Sequence, residues 1–290
     1  MNNLRGILYM ILSMLLFTAA DIAIKTLGAH FAPGQLFVLA GLGGTLFFGP
    51  LLLRNGEPLF DKSFFSPLIL FRNFTDVAGT FCVFLSVILI PISTVSAIMQ
   101  AAPLIATLAA ALVLGEKVGW RRWLAISAGL FGALLIVRPG AAGFEPLTLI
   151  TLLGVILQAL RDVATRPASA LISSARIGFY GILSLTALGL GMMITSEGLP
   201  DWPEPALWPY IVILPTVGSL GYHLLNVSIR LADVSVVVPF RYSRILFGIL
   251  AGILIFSERP DRLTLIGAAI IVSSGLFVFW REQHKKRRQP

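Results

Sequence analysis

Charged residues are scarce in this sequence. Only 12% of its 290 residues are Asp, Glu, Lys or Arg, whereas 57% are hydrophobic. A soluble domain carries about 25% charged residues, so the composition excludes an ordinary soluble domain and indicates an integral membrane protein. The single cysteine, Cys82, excludes an intrachain disulfide.

Motifs of the common enzyme classes are also missing. The sequence contains no His-Glu-x-x-His, no Gly-x-Ser-x-Gly and no Gly-x-x-x-x-Gly-Lys. We therefore expect no enzyme, no cofactor and no metal site, and a driving force that comes from a gradient rather than ATP. The net charge of +8 has no accompanying basic face with stacking aromatics, so nucleic acid is not an expected partner. The expected partners are a lipid bilayer and a small-molecule substrate.

Long apolar runs divide the chain into ten segments that can cross a bilayer. Lys and Arg concentrate in alternate loops and in the tail, which places both termini in the cytoplasm. The prediction is an all-α, multi-pass protein of a bacterial-type inner (plasma) membrane. Its spans are 5–27, 35–53, 68–90, 93–114, 121–138, 147–166, 175–195, 207–229, 234–256 and 262–280.

The two halves of the chain repeat each other. The segment Asp21–Lys25 of span one matches Asp162–Arg166 of span six at an offset of 141, and Glu116 matches Glu258 at an offset of 142. Because five spans is an odd number, the second repeat enters the membrane upside down. We predict ten transmembrane helices arranged as two inverted five-helix repeats, 1–140 and 141–290, around a central cavity, in a monomer.

Two matching segments end the fourth and ninth spans. They are Leu112-Val-Leu-Gly-Glu116 and Leu254-Ile-Phe-Ser-Glu258, and a span rich in small residues follows each. Together with the stretch Pro239–Gly248, they resemble the EamA-type transporters of the drug/metabolite transporter superfamily over the whole chain. The resemblance implies a ten-helix fold around a cavity and transport by alternating access. The substrates of that family range from amino acids to vitamins and cofactors.

Two arginines lie inside the ninth span. Arg241 and Arg244 are roughly 10–15 Å from its start at 1.5 Å per residue. A charge at that depth is costly and usually faces a cavity or a partner. A guanidinium group matches the two oxygens of a carboxylate or phosphate. We predict that both arginines bind an anionic part of the substrate. The alternative is that they tie helices together.

Polar residues of other spans fall at a similar depth. Arg72 and Asp76 share one face of span three, and Arg161 and Asp162 are neighbours in span six. We predict that the two acids form ion pairs with the arginines, with proton coupling as the alternative. Arg72 and Arg161 are close enough to the surface to snorkel. The remaining candidate substrate contacts are Tyr242, Gln100, Asn73, Gln158 and His223.

Other charged residues lie near span ends. Asp21 and Lys25 are four residues apart near the outer end of span one, and we interpret them as a surface ion pair or an outer gate. Glu116 and Glu258 each precede a span, where the N-terminus of the next helix stabilises a negative charge.

These features predict a secondary transporter of a small polar or anionic metabolite, such as an amino acid, an organic acid or a vitamin-like compound. Multidrug efflux of lipophilic cations is an alternative. It fits less well because cations outnumber acids among the deep polar residues. A membrane scaffold, or an intramembrane enzyme that uses His223 with Ser219 or Ser228, are the alternatives from other classes.

Overall fold

The computed structural model describes residues 2–113, 119–140, 144–168, 172–199, 202–232 and 234–286. Within these ranges the chain is helical and contains no strand. Eight helical segments are long and apolar enough to span a membrane, and Trp123–Val137 is a shorter apolar helix. With the helix Trp208–Leu231, these segments account for the ten predicted spans and confirm the all-α membrane fold.

Twelve α-helices make up these spans in chain order. They are α1 Asn2–Leu27, α2 Pro33–Arg54, α3 Pro67–Leu89, α4 Ile92–Met99, α5 Ala102–Val113, α6 Trp120–Val137, α7 Thr148–Ala168, α8 Ser174–Met192, α9 Trp208–Leu231, α10 Val234–Val237, α11 Ser243–Phe256 and α12 Arg262–Lys286. Short 3₁₀ turns cover Lys62–Phe65, Pro205–Leu207 and Val238–Tyr242.

Spans four and nine are each broken in the middle. Gln100 and Ala101 form a turn between α4 and α5, and the 3₁₀ segment separates α10 from α11. Pro103 and Pro239 lie at these breaks. Proline has no N–H for the helical ladder, so each one weakens the helix at that point. The breaks occupy equivalent positions, because Gln100 and Tyr242 are 142 residues apart.

Glycines bring helices of the two repeats close together. A Cβ atom added to Gly267 of α12 would lie 2.5 Å from the carbonyl oxygen of Gly132 on α6. Gly248 of α11 faces Ser96 of α4 in the same way. The small-residue faces of these helices therefore pack within the chain.

Polar clusters mark the two ends of the helix bundle. At one end, which we call the Arg176 end, Arg176 forms ion pairs with Glu57 and Asp61. The Ser63 hydroxyl and backbone N–H, Arg176 and Tyr180 hold the pKa of Asp61 below its usual value, with the hydroxyl the main cause. At the other end, the Glu258 end, Glu258 lies beside Lys25. Helix α1 runs from the Arg176 end to the Glu258 end.

Candidate substrate-binding cavity

A cavity of about 260 Å³ lies between the two repeats. Its walls come from α1, the break between α4 and α5, α7, the break before α11, and α12. The residues of α7 and α12 that line the cavity lie in the halves of these helices nearer the Arg176 end. The polar side chains in the lining include Gln100, Gln158, Arg161, Asp162, Arg241, Tyr242 and Arg244.

Arg244 is tied to helix α1. Its Nη2 donates a hydrogen bond to Oδ2 of Asp21 at 2.8 Å, and the Asp21 side chain is only 7% exposed. The guanidinium group also lies over the ring of Phe17, 5.3 Å from the ring centre, a favourable cation–π geometry. The Nε atom of Arg244 is buried and has no acceptor. One donor of this arginine is therefore unused.

Arg241 lines the same cavity without an ion pair to any residue that the structure describes. Asp162 also lines the cavity, but among the described residues its ion pair is with Arg161. Nearby, Gln100 is 6% exposed and its Nε2 has no acceptor. Buried donors are normally satisfied, so two residues of the cavity lining, Gln100 and Arg244, each carry a donor that lacks an acceptor among the described residues.

The α7 wall carries a chain of ion pairs. Arg161 donates from Nη2 to Asp162 Oδ1 at 2.8 Å and from Nη1 to Asp76 Oδ1 at 2.9 Å. Arg72 donates from Nη1 to the second oxygen of Asp76 at 2.9 Å. Asp76 thus joins two arginines from different helices, and the predicted pairing of both acids with arginines is observed.

Three details differ from the predictions. Arg72 is 7% exposed and does not snorkel, because Asp76, Asn73 and the Ile177 carbonyl oxygen hold it inside the bundle. Arg161 does not snorkel either, because it faces the cavity. Asp21 and Lys25 do not form a surface ion pair with each other, because each has a different partner.

Two of the predicted substrate contacts lie outside the cavity lining. Asn73 is buried beside Arg72 and accepts a hydrogen bond from its Nη1 at 3.0 Å. The ring of His223 packs edge-on against Phe47, 5.6 Å between ring centres. Gln100, Gln158, Tyr242, Arg241 and Arg244 are brought together as expected.

Tyr242 is positioned by the absence of a side chain on α12. Its hydroxyl group lies so close to Gly275 that a Cβ atom at this glycine would overlap with it. Because both residues line the cavity, Gly275 determines how far the tyrosine ring extends into it.

Lys25 and Glu258 meet at the Glu258 end. Ser257 adopts a left-handed conformation (φ 54°) that ends α11 and turns Glu258 back towards α4. Glu258 accepts hydrogen bonds from the N–H groups of Ile92 at 2.7 Å and Ser93 at 3.0 Å, and from the Ser93 hydroxyl at 2.7 Å. Lys25 lies 3.6 Å from Glu258 and donates to the Ile90 carbonyl oxygen at 2.6 Å.

The helix that Glu258 stabilises is therefore not the one predicted. Its carboxylate caps the N-terminus of α4, whereas the sequence placed it beside the helix that follows it. The matching residue of the first repeat, Glu116, lies outside the described residues.

The family model of the EamA-like transporter family matches the chain twice, over residues 4–138 and 146–280. The chain belongs to the EamA-like transporter family. The match confirms the resemblance found in the sequence, and its two copies agree with the internal repeat.

Relatives of this EamA-like chain are named as transporters. An S-adenosylmethionine uptake transporter of Rickettsia felis is 24% identical over 287 residues, which is 99% of this chain and 96% of the relative. A riboflavin transporter of Vibrio cholerae is 30% identical over 203 residues, 69% of this chain and 66% of the relative. A pseudopaline exporter of Pseudomonas aeruginosa is 26% identical over 271 residues, 92% and 93% of the two chains. These names agree with the expectation that the chain is not an enzyme.

A solved crystal structure has the same fold. It superimposes with a TM-score of 0.67 at 19% sequence identity and covers 98% of this chain and 99% of the other. At this identity the similarity supports the fold alone.

Sequence reasoning missed Asp21 as the partner of Arg244. A signal was available, because Asp21 and Asp162 occupy equivalent places in the two repeats. An acid that faces the cavity in one repeat is expected to face it in the other.

Proposed function

We propose that this EamA-like chain is a secondary transporter that moves a small polar or anionic metabolite across a bacterial-type inner membrane by alternating access. The observation that carries the proposal is Arg241, a cation that lines a cavity between the repeats without an ion pair to any described residue. Its guanidinium group is the first contact for the anionic part of the substrate.

Two helix N-termini support this anion site. Helices α5 and α11 both begin at the cavity, where Ala102 and Pro103 of α5 and Arg244 of α11 line it. The N-terminus of a helix carries partial positive charge and favours a bound anion. The unused donors of Gln100 and Arg244 add to this field. Broken helices that meet at a midplane site are typical of secondary transporters with inverted repeats.

The charge of the cavity lining favours a polar or anionic metabolite over a lipophilic cation. Three of the four charged side chains that line it are arginines, and the fourth is Asp162. Asp162, with a side chain 47% exposed, is the acidic group that multidrug efflux of cations would use, so that function stays as the second candidate.

The outer gate belongs to the same proposal. With both termini in the cytoplasm, the Glu258 end faces outwards and the Lys25–Glu258 contact is its closed gate. Asp21 joins the gate region of α1 to Arg244 at the cavity. The repeats 1–140 and 141–290 move against each other, and the ion pairs of Asp76 and Asp162 are kept during the cycle.

Ligand-induced thermal stabilisation tests the anion site. A ligand that binds only the folded state raises its melting temperature by mass action. We expect purified protein to be stabilised by carboxylates or phosphates, and the effect to be lost in Arg241→Gln and weakened in Arg244→Gln.

The matched controls are Arg54→Gln, which removes an exposed arginine outside the cavity, and Arg241→Lys, which keeps the charge. Both controls should keep most of the stabilisation. Stabilisation by lipophilic cations alone, or an anion effect unchanged in Arg241→Gln, would contradict the proposal.

A further inference from the structure

We propose that the cavity selects substrates with one net negative charge on a largely apolar body. This inference rests on the proposed function and assigns the charge class of its substrate. The observation behind it is the balance of charged side chains around the cavity, together with the apolar remainder of the lining.

The charged groups that line the cavity, with the partners they bind, form two ion-paired groups and leave one arginine outside both. The cations are Arg72, Arg161, Arg241 and Arg244, and the acids are Asp21, Asp76 and Asp162. Ion pairs at 2.8–2.9 Å link every member except Arg241. Counted at their formal charges, the four arginines and three aspartates leave one positive charge in excess.

The other ion pairs of the described residues lie at the two ends of the bundle, away from the cavity lining. At the Glu258 end, Lys25 pairs with Glu258 and Arg138 pairs with Asp261. At the Arg176 end, Arg176 pairs with Glu57 and Asp61. The uncompensated cation that lines the cavity is Arg241, so the excess charge is where the substrate binds.

A substrate of charge −1 is the one that neutralises the site. A charge held in a low-dielectric cavity without a counter-ion is costly. A monoanion brings the set to zero when the substrate is enclosed. A zwitterion leaves the excess of one positive charge, a cation increases it, and a dianion reverses it.

Most of the remaining lining residues are apolar. Met14, Phe17, Met99, Val278 and Phe279 line the cavity together with the polar groups. Thioether and aromatic side chains adapt to apolar bodies of different shape. The cavity thus combines one anion-binding position with an apolar surface, which matches an amphipathic monoanion such as an aromatic monocarboxylate.

The position of Asp162 argues against an ammonium group as a second anchor. Oδ1 of Asp162 already accepts hydrogen bonds from Nε and Nη2 of Arg161. An ammonium group at the other oxygen would lie near that guanidinium group and be repelled by it. Tight binding of an amino-acid zwitterion is therefore the outcome that competes with this prediction.

Four compounds of similar shape separate these outcomes. 3-Phenylpropanoate, phenylalanine, phenethylamine and phenylsuccinate share a phenyl group and carry net charges of −1, 0, +1 and −2. Dissociation constants are measured by titration calorimetry on the full chain in lipid nanodiscs. We expect 3-phenylpropanoate to bind most tightly, with phenylalanine and phenylsuccinate at least about tenfold weaker and no binding of phenethylamine.

Two variants change the charge balance in opposite directions. Arg241→Gln removes the excess, so the preference for the monoanion should disappear. Asp162→Asn adds a second excess charge, so phenylsuccinate should become the tightest ligand. A variant that merely misfolds would lose all binding and would not reverse the order of the ligands. Failure of Asp162→Asn, as a folded protein, to favour the dianion would overturn the charge rule.

The failures of the two proposals look different. If phenylalanine binds as tightly as 3-phenylpropanoate and both are lost in Arg241→Gln, the anion site stands and the charge rule is wrong. If phenethylamine binds best, or Arg241→Gln binds like the unmodified chain, the anion site itself is wrong. If none of the four binds more tightly than about 1 mM, the inference that the substrate has a largely apolar body is wrong.

Discussion

Arg241 and Arg244 are three residues apart, yet the structure gives them different electrostatic roles. Arg244 is neutralised by Asp21 on another helix, whereas Arg241 has no such partner among the described residues. The sequence predicts that both are deep, because depth follows from their place in the apolar run. It does not predict which is neutralised, since the partner lies 223 residues away in the chain.

Asp261 offers a residue-scale test outside the membrane-spanning helices. Its carboxylate accepts hydrogen bonds from Arg138 and from the N–H of Thr264 in the first turn of α12. These contacts, led by the one with Arg138, lower the pKa of Asp261 from 3.8 to about 2. A carboxylate whose pKa is lowered in the folded state stabilises that state above its unfolded pKa. The contribution is lost as the pH falls from 3.8 towards 2.

We expect Asp261→Asn to lower the free energy of unfolding by less than about 1 kcal/mol at pH 7, because the side chain is half exposed and its ion pair is screened by solvent. The amide keeps an acceptor for Thr264, so the change isolates the charge. Melting temperatures from pH 7 to pH 3 should show the difference from the unmodified chain shrinking below pH 4. Glu204→Gln, an exposed acid in another loop, is the control. An equal difference at every pH would contradict the role of the Arg138 contact.

The break between α4 and α5 shows why element boundaries were only partly predictable. Apolar runs set the ten spans correctly, because crossing the bilayer requires length and hydropathy. Gln100 is the one polar residue at the turn, and the residues on both sides of it are apolar. Hydropathy therefore does not show the turn. The proline signal is ambiguous in membrane helices, since neighbouring helices often re-satisfy the freed backbone groups. Pro215, which stays inside α9, is an example.

At the element scale, Glu258 connects the end of α11 to the start of α4. Its carboxylate accepts three hydrogen bonds there, and charge-assisted bonds are the stronger kind. Glu258→Gln should weaken these three hydrogen bonds by about 1–3 kcal/mol. We therefore expect the Glu258 end to open more often. The probe is Val95→Cys on α4, introduced in a Cys82→Ser background at a position that is 1% exposed in the native chain. The new thiol should react with a small polar maleimide about tenfold faster when Glu258→Gln is also present.

The control for this experiment is Glu57→Gln, which instead removes a partly exposed acid at the Arg176 end. It should leave the labelling of Val95→Cys unchanged. Equal labelling rates with and without Glu258→Gln would show that the carboxylate does not hold this end closed.

At the scale of the whole molecule, the internal repeat was the most informative feature of the sequence. Five spans per repeat and a nearly constant offset predicted the inverted arrangement, and the equivalent breaks at Gln100 and Tyr242 agree with it. The symmetry did not predict the chemistry of the site, because equivalent positions carry different residues. Met99 and Ala102 in one repeat correspond, 142 residues on, to Arg241 and Arg244 in the other, and the cavity is therefore asymmetric in charge.

One of the contacts between the two repeats is where α6 packs against α12, and this contact depends on glycine. A Cβ atom on Gly267 would lie 2.5 Å from the Gly132 carbonyl oxygen and 2.6 Å from Cγ1 of Ile136. The backbone cannot yield without separating the helices, so Gly267→Ala should cost about 1–3 kcal/mol of overpacking. Gly218→Ala on α9 is the matched control, because nothing lies within 4 Å of its Cβ position.

Alanine is also the better helix former by about 1 kcal/mol, so the control should be neutral or slightly stabilising. Thermal unfolding of the three proteins in one detergent measures the difference. Gly267→Ala should melt several degrees below the unmodified chain, while Gly218→Ala melts at or above it. If both variants melt together, the close approach of α6 and α12 does not limit how the repeats pack. Their junction would then have room for the helices to slide during transport.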